Sequence, residues 1–207
     1  MIKEITYFLW GNLIVISLVT IVVFTVQFSS SWYQTEFQKL NLLPPAGQVE
    51  NLFGYLKGQQ LLNKNFYTER EILHLMDIKK LFEFEKIYGI MTALIVSLLL
   101  FILFKTKAFA QGCKILFFGS GYSLAIVGIL AIVISSNFDR LFINFHQLLF
   151  SNNYWQLDPA VDNLINIFPP ALFLDLLKQI FITMILSSIA LMVATGTIFV
   201  GLKVIHR

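Results

Sequence analysis

The chain has 207 residues, 57% of them hydrophobic and only 13% charged, with 21 phenylalanines and a mean hydropathy of +0.75. Globular domains average about 45–50% apolar and about 25% charged, so one soluble core of this length cannot hide the surplus. An ordinary cytosolic enzyme, a disordered chain and a nucleic-acid-binding domain are excluded, and the single cysteine, Cys113, excludes an internal disulfide or a cysteine-rich metal site.

Four apolar runs, 7–28, 88–104, 115–134 and 180–200, approach the roughly 20 residues that carry a helix across a bilayer, and none contains a charged side chain. The first is too long for the apolar core of a signal peptide, and Phe28-Ser29-Ser30-Ser31-Trp32 is a poor cleavage site, so it reads as a retained span. The N-terminal tip, the 105–114 connection and the C-terminal tail together hold six basic residues and one acidic residue. Segment 29–87 holds seven of each sign, and segment 135–179 holds two basic and four acidic residues. Cytoplasmic loops are enriched in Lys and Arg, so both termini and the 105–114 loop are expected in the cytoplasm and the two large segments on the outer face. The expected architecture is an all-α integral membrane protein, one membrane domain over 1–207. Its four transmembrane helices carry interfacial or re-entrant helices that form an extracellular-side cap.

In segment 29–87, Pro44-Pro45 interrupts the chain, and Thr68 with Glu71 three residues on forms a capping box that opens a helix over 67–82. Ile72, Leu75, Met76, Leu81 and Phe82 give it an amphipathic face, and it leads into the second span. In segment 135–179, Phe138, Leu141, Phe142, Phe145 and Leu149 form a stripe of helical period. Ser151-Asn152-Asn153 breaks the stripe, and Tyr154 and Trp155 supply rings suited to headgroup level. Asp158-Pro159 reads as an N-cap followed by Pro at N1, starting a short helix through Phe168.

Of three histidines, His206 is a tail residue, whereas His74 and His146 each lie on an outer amphipathic helix. Imidazole exchanges a proton near neutral pH, and ionisable groups at membrane depth are functional-site hypotheses. A lone histidine on an interfacial helix is commonly just a polar interfacial residue. The neighbours of His74 add weight: Arg70 at i−4, Glu71 at i−3 and Asp77 at i+3 share its helix face. A carboxylate on one ring nitrogen would raise the basicity of the other. Against this, Glu71 already serves the capping box and Asp77 can pair with Lys80. Glu71, His74, Asp77 and His146 could also supply oxygen and nitrogen ligands to a metal, although the spacing is not a zinc signature. No Gly-x-Ser-x-Gly elbow or phosphate-cradling glycine loop is present.

The segment Tyr67-Thr-Glu-Arg-Glu-Ile-Leu-His-Leu-Met-Asp-Ile-Lys79 resembles the first signature of the bacterial lipoprotein intramolecular transacylase family. The stretch Phe145-His-Gln-Leu-Leu-Phe-Ser-Asn-Asn-Tyr-Trp-Gln-Leu-Asp-Pro159, continued by Asp162-Asn-Leu-Ile and Phe168-Pro, resembles the second. One departure is Pro170 after Pro169, where an acidic residue is more usual, so no role is carried onto it. The resemblance implies an enzyme that moves the sn-2 acyl chain of an S-diacylglyceryl cysteine onto its α-amine, giving an N-acyl, S-monoacylglyceryl (lyso-form) lipoprotein. On this reading His74 and His146 are catalytic: one arrangement makes His74 the base, oriented by Asp77 or Glu71, with His146 serving the oxyanion or the leaving alkoxide, and the exchanged arrangement stands open beside it. Arg70, Arg140, Tyr154, Trp155 and Asp158 would contact substrate or lipid. No cofactor or metal is called for. The partners would be the diacylated lipoprotein and membrane lipids, with no nucleic acid, and the chain would act as a monomer. Two other readings stand beside it: a metal-dependent membrane hydrolase at the outer face, and a non-catalytic subunit that binds a partner.

Overall fold

The computed structural model describes residues 16–106 and 109–205, and every regular element among them is helical. In chain order they are α1 (Ile16–Val26), α2 (Ser30–Lys39), α3 (Gln48–Leu56), α4 (Glu69–Lys105), α5 (Phe109–Ser136), α6 (Phe138–Leu149), α7 (Leu164–Ile167) and α8 (Pro170–Ile205). Contacts divide the chain into two units. One gathers Ile87–Val133 with the residues up to Phe24 and those from Lys178 onward; the other joins Thr25–Lys86 to Ile134–Leu177.

Three helices, α4, α5 and α8, are long and apolar enough to cross a membrane, and a fourth crossing is counted if the bent pair α1 and α2 is one span. The first expected span, 7–28, is altered here. Residues 7–15 lie outside the described residues, and α1 meets α2 at a bend of 64° after Val26. Lys107 and His206 also lie outside the described residues. The other three helices overrun their expected limits. α5 begins at Phe109 and α8 at Pro170, and the helix expected over 67–82 is continuous with the second span as the 37-residue α4. At 1.5 Å per residue such a helix is about 55 Å long, against a hydrocarbon core of about 30 Å. Only its apolar stretch 88–104 is suited to the bilayer core, because residues 69–86 carry Glu69, Arg70, Glu71, Asp77, Lys79, Lys80, Glu83, Glu85 and Lys86.

In the first unit, aliphatic side chains such as Leu94, Ile132, Leu186 and Val193 point outward and small polar ones inward. The hydroxyls of Thr92, Ser120 and Thr195 bond carbonyls of their own helices, which satisfies them without water. Ser188 on α8 donates to Ser123 on α5 at 3.2 Å, and both are fully buried. A Cβ at Gly89 would stand 2.9 Å from the Thr20 methyl, so glycine sets the approach of α1 to α4.

The second unit is built around aromatic rings. Tyr33, Phe37, Phe53 and Phe168 meet at centroid distances of 4.9 to 6.2 Å, flanked by Leu52, Leu56, Leu75, Leu164 and Leu172. Edge and tilted ring contacts of this kind add to the burial of large apolar area. At the rim, Lys39 bridges Glu36 and Asp175, joining the end of α2 to the start of α8.

The helix expected from Asp158 to Phe168 is confined to Leu164–Ile167. Asp162 ties the segment both to itself and to the distant Thr68. Asp162 accepts from the Asp158 N–H at 2.8 Å and from the Thr68 hydroxyl at 2.7 Å, while the Asp158 carboxylate accepts from the Ala160 N–H. The Asn163 amide donates to the Phe66 carbonyl. These bonds hold 158–163 as a turn braced against the start of α4.

Candidate active site

His74 lies near the start of α4 and His146 near the end of α6, and the fold of the second unit brings their rings to a centroid distance of 6.0 Å. Each helix has its own start signal. Thr68 and Glu71 form the reciprocal capping box on α4: the Thr68 N–H donates to Glu71 Oε2 at 2.6 Å and the Glu71 N–H donates to Thr68 Oγ1 at 3.3 Å. Asn137 caps α6 by accepting from the Arg140 N–H at 3.1 Å. The α6 stripe then divides. Phe142 and His146 turn inward, whereas Phe145 and Leu148 are 55% and 85% exposed.

Both imidazoles are buried, His74 at 5% exposure and His146 at 9%. Their walls are aromatic. Phe150 stands 5.1 Å from His74 and 5.8 Å from His146, Phe142 stands 4.3 Å from His146, and the Trp155 ring packs on His146 at 5.0 Å, tilted by 32°. The His146 Nδ1 lies 2.7 Å from the Phe142 carbonyl. A carbonyl only accepts, so Nδ1 carries the proton and the neutral ring presents its Nε2 lone pair. His74 Nδ1 is buried with no hydrogen-bond partner among the described residues.

Burial holds the His74 pKa down to about 4, with His146 pushing the same way and the Asp77 charge opposing. Burial also lowers His146, against the Phe142 carbonyl that favours its charged form. Both rings lie outside the 88–104 stretch, and near pH 7 the lowered values keep them neutral.

The two carboxylates expected to orient His74 are engaged elsewhere. Besides its capping-box bond, Glu71 accepts through Oε1 from the Leu164 N–H, so this fully buried residue pins the start of α7 to α4. Asp77 accepts from Lys80 at 3.0 Å and from the Asn152 amide at 2.9 Å, and acts on His74 by charge alone. Burial opposes its ionisation, but these two donors leave its pKa below the usual carboxylate value. Among the described residues no three His, Cys, Asp or Glu side chains are grouped to hold a metal ion.

Of the remaining candidates, Trp155 joins the site directly. Arg70 is exposed and donates to the Gln156 carbonyl at 3.0 Å, bracing the loop after Trp155. Tyr154 is partly exposed, its N–H held by Asn152, and Arg140 is exposed on the first turn of α6. Asp158 belongs to the turn braced by Asp162. Three residues of the site region were not singled out from sequence. Phe142 reads there as part of the apolar stripe, Phe150 only as part of the second quoted stretch, and Asn152 as part of the helix break.

A buried pair of neutral imidazoles with aromatic walls, in a helical chain with membrane-suited helices, has the chemistry to exchange protons with a group held between them. The sequence profile described as "Lipoprotein intramolecular transacylase Lit" matches residues 5–173. The chain belongs to the Lit family of lipoprotein intramolecular transacylases, which makes it an acyltransferase of the membrane. Its fold is that of the membrane-integral Lit from Bacillus cereus, at a TM-score of 0.84 and 22% identity over 99% of this chain and 98% of that one. Two variants of that protein, with a histidine replaced by arginine or by alanine, superpose at a TM-score of 0.81 and the same 22% identity. The arginine variant is matched over 100% of this chain and 95% of that one, the alanine variant over 99% and 96%. No curated protein sequence matches the chain.

Proposed function

We propose that this chain converts a diacylated lipoprotein to its lyso form by moving the sn-2 acyl chain of the S-diacylglyceryl cysteine to the α-amino group of the same cysteine. The observation that carries the mechanism is the buried pair His74 and His146, 6.0 Å apart. Ester and amine share one molecule, so holding them together supplies much of the rate and no serine or cysteine nucleophile is needed.

His146 is the general base, because the Phe142 carbonyl fixes its proton on Nδ1 and leaves Nε2 free. Of the two arrangements left open by the sequence, this is the one the tautomer favours. The amine nitrogen attacks the sn-2 ester carbon and a C–N bond forms. His146 Nε2 takes the ammonium proton, while a neutral His74 N–H stabilises the oxyanion. Collapse breaks the ester C–O bond, and His146 returns the proton to the departing glycerol oxygen. The aromatic walls exclude water, so the acyl group passes to nitrogen rather than being hydrolysed. No step requires a metal, and the engagement of Glu71 and Asp77 elsewhere favours this reading over a metal-dependent hydrolase.

The charge distribution supports cytoplasmic termini and a site at the outer leaflet, where lipid-anchored substrate presents its reacting groups. Mass spectrometry of lipoprotein N-termini from cells with and without the chain tests the function. Lyso-form N-termini should appear only with it. Unchanged diacyl termini would end the proposal.

A further inference from the structure

Asn152, in the segment between α6 and α7, contacts both halves of the histidine pair's surroundings. Its amide Nδ2 donates to Asp77 Oδ2 at 2.9 Å, reaching 75 residues back along the chain. Its Oδ1 accepts from the Tyr154 N–H at 3.1 Å, and its main-chain carbonyl accepts from the Trp155 indole N–H at 2.9 Å. Asp77 lies one helical turn beyond His74 on the same face of α4. Trp155 is the ring packed on His146. We propose that Asn152 is a positioning residue for the transacylation: its amide grips Asp77 beside His74 while its carbonyl holds the Trp155 indole against His146, so that one residue sets the spacing of the two imidazoles.

The chemistry of the residue suits the task. The side chain must donate to a carboxylate and accept from a main-chain N–H at once, which an amide does and a carboxylate or an alkyl group does not. The second donor to Asp77, Lys80, is largely exposed and lies three residues away on the same helix, so it does not tie α4 to another element. Asn152 does, and the bond to a charged acceptor is of the stronger kind. Its role rests on the reading that His74 and His146 carry the chemistry.

The test measures kcat and KM of the purified full-length chain on a synthetic diacylated lipopeptide, with Tm recorded for every variant. The variants are Asn152→Ala, Asn152→Asp, the exchange Asp77→Asn with Asn152→Asp, and His74→Ala and His146→Ala. A displacement of reacting groups by an ångström costs up to about a hundredfold, so Asn152→Ala should lower kcat about tenfold with KM within about twofold. Asn152→Asp sets two carboxylates against each other and should cost more. The exchange restores a hydrogen bond from an amide to a carboxylate and should return kcat to at least about fivefold above the Asn152→Asp value. An Asn152→Ala kcat within about twofold of the parent, measured well below the variant's Tm, would overturn the proposal. So would an exchange variant no better than Asn152→Asp. If both histidine variants stay active, the histidine reading itself fails and this proposal falls with it. If they are inactive while Asn152→Ala is unimpaired, only the role of Asn152 is lost.

Discussion

The two units bury their side chains in opposite senses. In the unit of the long helices, leucine, isoleucine and valine face outward, and the buried positions include the hydroxyls of Ser120, Ser123, Ser188 and Thr195. In the other, aromatic rings and leucines are buried together, charged side chains line the rim, and the buried polar groups include the carboxylates of Glu71 and Asp162 and the imidazoles of His74 and His146. Lipid is as apolar as leucine, so burying leucine against another helix gains little there; close approach and satisfied hydroxyls hold such helices together. Against water, burial of apolar area dominates. The proposed site falls in the second kind of environment, where a polar group can be buried beside a chosen neighbour.

The largest contrast should come from the imidazoles. His74→Ala or His146→Ala should lower transacylation about 10²- to 10⁴-fold, the usual contribution of a general acid or base, with the fold retained by circular dichroism. A residual rate within tenfold of the parent would remove either residue from the proton path.

Next in size is packing. Leu75 is 1% exposed in the aromatic core, so Leu75→Ala should cost about 2–5 kcal/mol of stability, whereas Leu94→Ala, on an outward face, should cost less than about 0.5 kcal/mol. Thermal melts in detergent check both, and equal shifts would erase the distinction between the units.

Stability should also depend on pH. The pKa of His74 falls from 6.5 in the unfolded chain to about 4 in the folded one. Between those values the unfolded chain holds a proton that the folded chain lacks. Stability is therefore full above about pH 6.5 and is lost as pH falls toward 4, by up to about 1.4 kcal/mol per unit for one group. His146, also lowered, adds to the slope in the same direction. Tm measured across this window should fall, and His74→Asn should flatten the fall. An equal slope in the variant would assign it to other groups.

The smallest effect belongs to the paired hydroxyls. Ser123→Ala should cost about 0.6 kcal/mol, the average for such bonds between membrane helices, and leave kcat unchanged. A loss above 2 kcal/mol would mean that polar contacts, rather than close approach, hold these helices.

Much of this could be read from residue order. Apolar run length gives the long helices, the Thr68–Glu71 box gives the start of α4, and the amphipathic stripe gives α6, whose Asn137 cap only the structure shows. What escaped is long-range. Asp158-Pro159 is a sound local helix signal, yet Asp162 bonded to Thr68 keeps the turn. Glu71 has a third bond to Leu164 that no helical spacing announces. The pairing of His74 with His146 depends on the same kind of contact, so each histidine was visible alone and their 6.0 Å approach was not.

Those long-range bonds also dictate an order of manufacture. Thr68 meets Asp162 across 94 residues, and Glu71 meets Leu164 across 93. The intervening chain contains the apolar half of α4 and all of α5, two of the helices suited to cross the bilayer. As the polypeptide leaves the ribosome, His74 must wait through two insertions before its partner emerges, and the α7 clasp that braces its helix comes later still. The histidine pair therefore cannot form until two of the membrane-suited helices have been made, with α8 still to follow. A chain arrested before residue 146 holds only one half of the proposed site.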